Sequence, residues 1–231
     1  MRAHRAYCRI LVRCASTLCR IVPVRDSSGV KWSTAVGHVR RLAEQCQDFA
    51  ERPPSLHLGV TELWAVGEVL GTPRELDWVM VAVRVDLPVE DVPWMCRPVG
   101  ADYWADLTRA SKNPVGIWWR SSHAPVWNHR IVRPVLVWDV AEGIREASMA
   151  ALRDGTGSSA GLAPPTQEEF VTRMNDELLT SLAELRRRTQ EYETDHTTRL
   201  GVRGDQLHAA AQGYLDVLSG MQPVDDTDAT A

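Results

Sequence analysis

Apolar residues recur at three- and four-residue steps from Ser33, at Val36, Val39, Leu42, Ala43, Cys46 and Phe49 or Ala50, until Pro53-Pro54 stops the run. That period predicts an amphipathic helix with one buried face. The period then changes. Leu63, Ala65 and Glu68 alternate with Trp64, Val66 and Val69, and Gly71-Thr72-Pro73 turns the chain. Alternation followed by Gly and Pro predicts a strand ending at Gly67-Glu68 and a tight turn. Residues 76–87 (LDWVMVAVRVDL) form a nearly unbroken apolar run that carries Asp77, as a strand buried on both faces requires.

Residues 101–111 predict a short helix, and 115–120 (VGIWWR) and 131–139 (IVRPVLVWD) predict two further strands. Pro134 confines the start of the second to an edge or a bulge. Residues 140–153 read as helix, and DGTGSSAGLAPP (154–165) has the composition of a linker. Beyond it, Thr166 and Glu169 are spaced as a capping box. Phe170, Met174, Leu178, Leu182 and Leu185 then repeat on one helical face, which Tyr192 extends. A last helix starts near Asp205, carries Leu207, Ala211, Tyr214, Leu215 and Leu218, and ends at Gly220.

These elements predict an α+β chain. Residues 30–153 form a mixed sheet of four or five strands with helices mainly on one face, and 154–165 link it to an antiparallel helical pair over 166–220. That pair is expected to pack on the sheet or on a second copy, the latter giving a homodimer marked by an exposed apolar stripe along 166–192. Residues 221–231 read as a disordered acidic tail.

Charge and composition change the picture at the N-terminus. Residues 1–25 hold Arg2, Arg5, Arg9, Arg13, Arg20 and Arg25 and no acid, leaving 20 of the 26 basic and all 30 acidic residues in the remainder, a net of −10. An acidic body argues against a broad nucleic-acid-binding surface. Residues 1–29 lack the clean apolar stretch and cleavage site of a secretory signal. They read either as an amphipathic surface anchor or as an upstream extension before a start near Val24 or Val30. No apolar run approaches the roughly 20 residues of a membrane span. Cys8, Cys14, Cys19, Cys46 and Cys96 have no metal-ligand spacing and are odd in number, so reduced thiols and a cytoplasmic setting are expected. The bias to Arg over Lys, whose only examples are Lys31 and Lys112, matches a high-GC bacterial coding bias.

Residues 59–88 resemble, in layout, the core of a polymerase-β-type nucleotidyltransferase. Such a core holds two Mg2+ ions and a nucleoside triphosphate on two or three carboxylates. A Gly-Ser turn meets the phosphates, and acid-x-acid on the next strand puts two carboxylates on one face. Here Gly67-Glu68 stands for Gly-Ser, Gly71 for the glycine of the following turn, and Asp77-Trp78-Val79 for acid-x-acid, with valine in place of the second acid. Asp139 is the candidate third carboxylate. Separately, residues 30–220 resemble a family of uncharacterised actinobacterial proteins carrying a domain of unknown function. The likeness rests on LWAVGEVLGTPRELDWVMVAVRVDLPVEDVPW (63–94), PVWNHRIVRPVLVW (125–138) and AAQGYLDVL (210–218). It implies a discrete domain and no activity.

The stretch 118–130 (WWRSSHAPVWNHR) is the richest in chemistry. Arg120, His123, Asn128, His129 and Arg130 sit among three tryptophans in a segment between strands. Arg beside indole suits a stacked base or a phosphate; the alternative is a Trp-rich loop packed on the sheet. Arg186-Arg187-Arg188 reads as a solvated helix face.

Three functions are therefore expected. The first is a degenerate nucleotidyltransferase-like domain that binds a nucleotide or a partner protein without catalysis. The second is an active Mg2+-dependent nucleotidyltransferase, toxin-like or modifying tRNA or protein. It would use Asp77, Asp139 and Glu68 for the metal, with Gly67, Gly71 and the 118–130 loop holding an NTP and its acceptor. The third is a helical dimerisation or interaction module.

Overall fold

Helix α1 (Trp32–Glu51) buries Val36, Val39, Leu42, Ala43 and Cys46 on one face, the face that its periodicity predicts. In the computed structural model, which describes residues 29–54, 58–194 and 201–222, that face lies against a five-stranded sheet. The strands are β1 (Val60–Val66), β2 (Val79–Val85), β3 (Val115–Ser121), β4 (Val135–Asp139) and β5 (Gly143–Ile144), ordered β3-β2-β1-β4-β5. β2 and β3 run parallel across a connection that carries α2 (Ala101–Leu107), and the other pairs are antiparallel. The chain is thus α+β with a mixed sheet. Pro134 fixes where β4 begins. Opposite β1, Leu63 faces Trp138 and Trp64 faces Leu136, leaving Val137 as a bulge.

Alternation along the strands sorts the sheet into two faces. Leu63, Ala65, Val79, Val81, Val83 and Val85 meet α1 and α3 (Glu146–Arg153) in an apolar core. Trp64, Val66 and Ala82 face the other way, toward α4 (Gln167–Thr194) and α5 (Val202–Gly220), where Trp94, Ile131, Met174 and Val217 complete a second cluster. The C-terminal helical pair therefore packs on the sheet of its own chain. Gly213 allows the approach of α5, since a Cβ there would sit inside contact distance of the Trp94 carbonyl oxygen.

Several boundaries depart from the sequence reading. β1 ends at Val66, and Gly67–Leu70 coil into a 3-10 turn. Asp77 precedes β2 by two residues instead of lying within it. β5 occupies part of the stretch expected to be wholly helical, because two residues carry no readable period. The 154–165 segment is tied down: it forms a 3-10 turn at Gly157–Ser159, and the Leu162 N–H donates to the Pro134 carbonyl at 3.0 Å. On α4 the capping box forms, with the Thr166 N–H 2.8 Å from Glu169 Oε2 and the Glu169 N–H 3.2 Å from Thr166 Oγ1. Yet the deepest residues of α4 are Met174, Glu177, Ser181 and Glu184, so its most buried stripe is mainly polar. The expected N-terminal extension and acidic tail lie outside the described residues, apart from Gly29, Met221 and Gln222. Among the described residues, no helix is long and apolar enough to cross a membrane.

Candidate functional site

The candidate carboxylates are divided between the two ends of the sheet. Because β4 runs antiparallel to β1, Asp139 at the end of β4 lies beside Glu62, near the start of β1. Val66 and Met80 pair at the other end, next to Glu68 and Asp77. The four residue steps from Glu62 to Val66 alone separate the two positions by about 13 Å, at the rise of a strand. Glu68 is exposed and paired with Arg74 at 3.0 Å. Asp139 accepts from the Ala141 and Glu142 N–H groups at 3.0 and 2.9 Å and from Arg145 Nε at 2.6 Å. Asp139 thus closes the β4–β5 turn. The set expected to hold Mg2+ is not brought together, and among the described residues no three His, Cys, Asp or Glu side chains form a metal-holding group.

The 118–130 stretch is drawn together, but chiefly by the C-terminal helices. Arg120 and Glu177 form an ion pair with side chains only 2% and 4% exposed. The Arg120 guanidinium also lies 5.3 Å from the Trp94 ring centroid, a cation–π contact in a site without water screening. Arg173 comes within 3.8 Å of Glu177. Burial first, then repulsion from Arg120, holds Arg173 below its ordinary basicity. Further along α4, Arg187 and Arg188 each reach the buried Glu184 at 2.7 Å, so they close over a charge and are not merely a solvated face. Burial, followed by the Glu184 charge, pushes the neighbouring Cys96 thiol up to about 12, which leaves it protonated at neutral pH.

Asp216 of α5 is the second clasp. It accepts from Trp94 Nε1 and His129 Nε2, both at 2.9 Å, and from the Arg130 guanidinium. Burial alone would raise its carboxyl, but the bonds from Arg130, Trp94 and His129 hold it below the ordinary carboxylate value. Trp94, His129–Arg130 and Asp216 belong one each to the 63–94, 125–138 and 210–218 stretches, so those three stretches meet here. His123 stands apart, exposed, 2.9 Å from Asp86. Asn128 caps the loop, its Oδ1 accepting from the Arg130 and Ile131 N–H groups at 2.9 Å.

Gly67 and Gly71 lie in the turn after β1, at the sheet end shared with Asp77 and remote from Asp139. Glu177 and Asp216 are the charged partners of Arg120, His129 and Arg130 that the sequence reading did not identify. One signal was present: an arginine inside the apolar strand VGIWWR needs a buried acid, and Glu177 shares a helical face with Met174.

One recess adjoins the loop, a cavity of about 290 Å³ between the 127–134 segment and the 162–170 segment. Trp127, Pro134, Pro164, Pro165 and Phe170 give it apolar walls, while Asn128 and Arg133 supply polar groups.

No curated protein and no solved structure matches the chain. Residues 30–223, spanning the sheet and both C-terminal helices, match the family described as a domain of unknown function (DUF7711), and the chain belongs to that family.

Proposed function

We propose that this protein acts by binding and not by nucleotidyl transfer: a degenerate nucleotidyltransferase-like domain with a ligand-binding role and no catalytic one. The observation that carries this reading is the position of Asp139 beside Glu62, at the end of β1 opposite Glu68 and Asp77. Two-metal phosphoryl chemistry needs its carboxylates around metals about 4 Å apart, which side chains at opposite ends of a seven-residue strand do not provide. Two further facts support it. At the turn where triphosphate would approach backbone N–H groups, Glu68 places a carboxylate. In the 118–130 stretch, Arg120 of β3 and His129 and Arg130 of the segment after it are already engaged with Glu177 and Asp216.

Transfer assays with each radiolabelled NTP, with Mg2+ or Mn2+, are expected to give no labelled product. Thermal unfolding is expected to show no rise in Tm that requires both NTP and metal. Labelled product that forms with an NTP and metal and disappears in Asp77→Ala would overturn the reading.

A further inference from the structure

The apolar core between the sheet, α1 and α3 contains no residue beyond Leu152. Residues 30–153 therefore bury a complete core of their own, without help from α4 or α5. Those two helices are tied to each other. They pack side by side, and Arg188 Nη1 donates to Gln206 Oε1 at 2.8 Å while Arg203 Nη1 donates to the Glu191 carbonyl at 3.1 Å. Toward the sheet they present a smaller apolar group, Phe170, Met174, Leu178, Val217 and Met221, interrupted by the buried Glu177, Ser181 and Glu184.

The layer between the pair and the sheet is costly to keep closed. Arg120 Nε, Arg173 Nε, Glu177 Oε2 and Ser181 Oγ are closed to water and have no hydrogen-bond partner among the described residues. Two guanidiniums, Arg120 and Arg173, share the one Glu177 carboxylate. Lifting the pair returns all of these groups to water, which offsets the loss of the ion pairs and part of the apolar area exposed. The chain also has a place to bend. The Leu162 N–H bond to the Pro134 carbonyl and the close approach of Gly161 to the Arg133 carbonyl hold the connecting segment to the body. The capping box fixes the helix from Thr166 onward. Ala163, Pro164 and Pro165 lie between these anchors, and a hinge needs no more than a few such positions.

We propose that α4 and α5 form a cover that leaves the sheet as one unit while residues 30–153 stay folded. Opening uncovers Trp64, Val66, Ala82 and the Arg120 guanidinium, all buried in the closed protein. The device is independent of the non-catalytic reading above, whose transfer assays it leaves untouched.

Native-state hydrogen exchange of the full chain in rising, subdenaturing guanidinium tests it. Off the sheet, two helices supported only by each other are marginal in water, so their amides exchange from the open form. The amides of Met174, Ser181, Ala210 and Val217 are expected to share one opening constant, at least about tenfold larger than that of the slowest amides of α1, β1 and β2. Their denaturant slope should be the shallower, because less surface is exposed. Val81→Ala loosens the core on the opposite face. It is expected to speed the slowest sheet amides by about tenfold and to leave the four helix amides at the parent rate, because the body is folded in both closed and open forms. Exchange of those four amides in the slowest class, with the global slope, overturns the proposal. So do unrelated opening constants for the α4 and α5 amides, or their acceleration by Val81→Ala together with the sheet.

Discussion

The two faces of the sheet are closed by different physics. Against α1 and α3, the strands present Leu63, Ala65, Val79, Val81, Val83 and Val85, and the buried layer is aliphatic almost throughout. Its side-chain hydrogen bonds lie at the margins, as between Trp138 Nε1 and Gln47. Against α4 and α5, a smaller apolar cluster surrounds Arg120, Glu177, Ser181 and Glu184, all buried. Every buried side-chain nitrogen or oxygen without a hydrogen-bond partner among the described residues belongs to this second side: Arg120 Nε, Asn128 Nδ2, His129 Nδ1, Arg173 Nε, Glu177 Oε2 and Ser181 Oγ. The first face gains its stability from area removed from water, which tolerates small slips of position. The second is held by charges that must meet particular partners, so it fixes where the helices sit and is weakened when a partner is lost.

The sharpest way to break that comparison is Glu177→Ala. It leaves the Arg120 guanidinium buried beside Arg173 with no counter-charge, and a loss of about 3–5 kcal/mol in denaturant unfolding is expected. The double variant Arg120→Met with Glu177→Leu removes both charges at similar volume. It is expected to be at least as stable as the parent, by up to about 4 kcal/mol. A single-variant loss under about 1 kcal/mol would mean that water already reaches the pair, as at an exposed ion pair. On the opposite face Leu63, fully buried in the central strand, has no polar neighbour to orphan. Leu63→Ala is expected to cost about 2–5 kcal/mol through lost transfer energy and a residual cavity. No second substitution of charge type should restore it, which distinguishes the two faces by their rescue as well as by their loss.

This difference also explains what could be read from sequence. α1 is legible because its hydrophobic period states both type and buried face, while β2 is legible as an unbroken apolar run and α4 as a helix from its period. The capping box at Thr166 and the barrier at Pro134 are local chemistry, visible within four residues. The polar stripe of α4 is not legible in that way. Glu177, Ser181 and Glu184 lie on or beside the apolar face, but their polar side chains read as solvent-facing; Glu177 finds its partner in a strand residue 57 positions earlier, Arg120, and Glu184 in Arg187 and Arg188 of its own helix. The candidate carboxylates are divided for a related reason. Spacing along the chain puts Glu68, Asp77 and Asp139 each near a strand terminus, but the antiparallel run of β4 beside β1, which decides which end, is not encoded locally. Of the 118–130 residues, the chemistry of Arg120, Asn128, His129 and Arg130 was evident. Their partners lie on α4, on α5 or in backbone N–H groups, and only the fold supplies the first two.

Asp216 offers the gentlest test, because it probes the polar face without burying a stray charge. Asp216→Asn keeps one oxygen acceptor and gives up the charge-assisted bonds from Arg130, Trp94 and His129. A loss of about 1–3 kcal/mol at neutral pH is expected. The pH dependence follows from sign. The folded carboxyl is held below its ordinary value of 3.8, so the unfolded chain takes up the proton first. The stabilisation is therefore complete above the unfolded value and is lost as pH falls through the folded one. The gap between parent and variant should stay flat from about pH 8 to about pH 5 and close only below about pH 4. Leu63→Ala alters no titrating group, so its gap to the parent should not close in that range. A gap for Asp216→Asn that stayed constant into acid would mean that its carboxylate titrates alike folded and unfolded. The clasp on α5 would then owe its hold to the packing of Gly213 on Trp94 and not to charge.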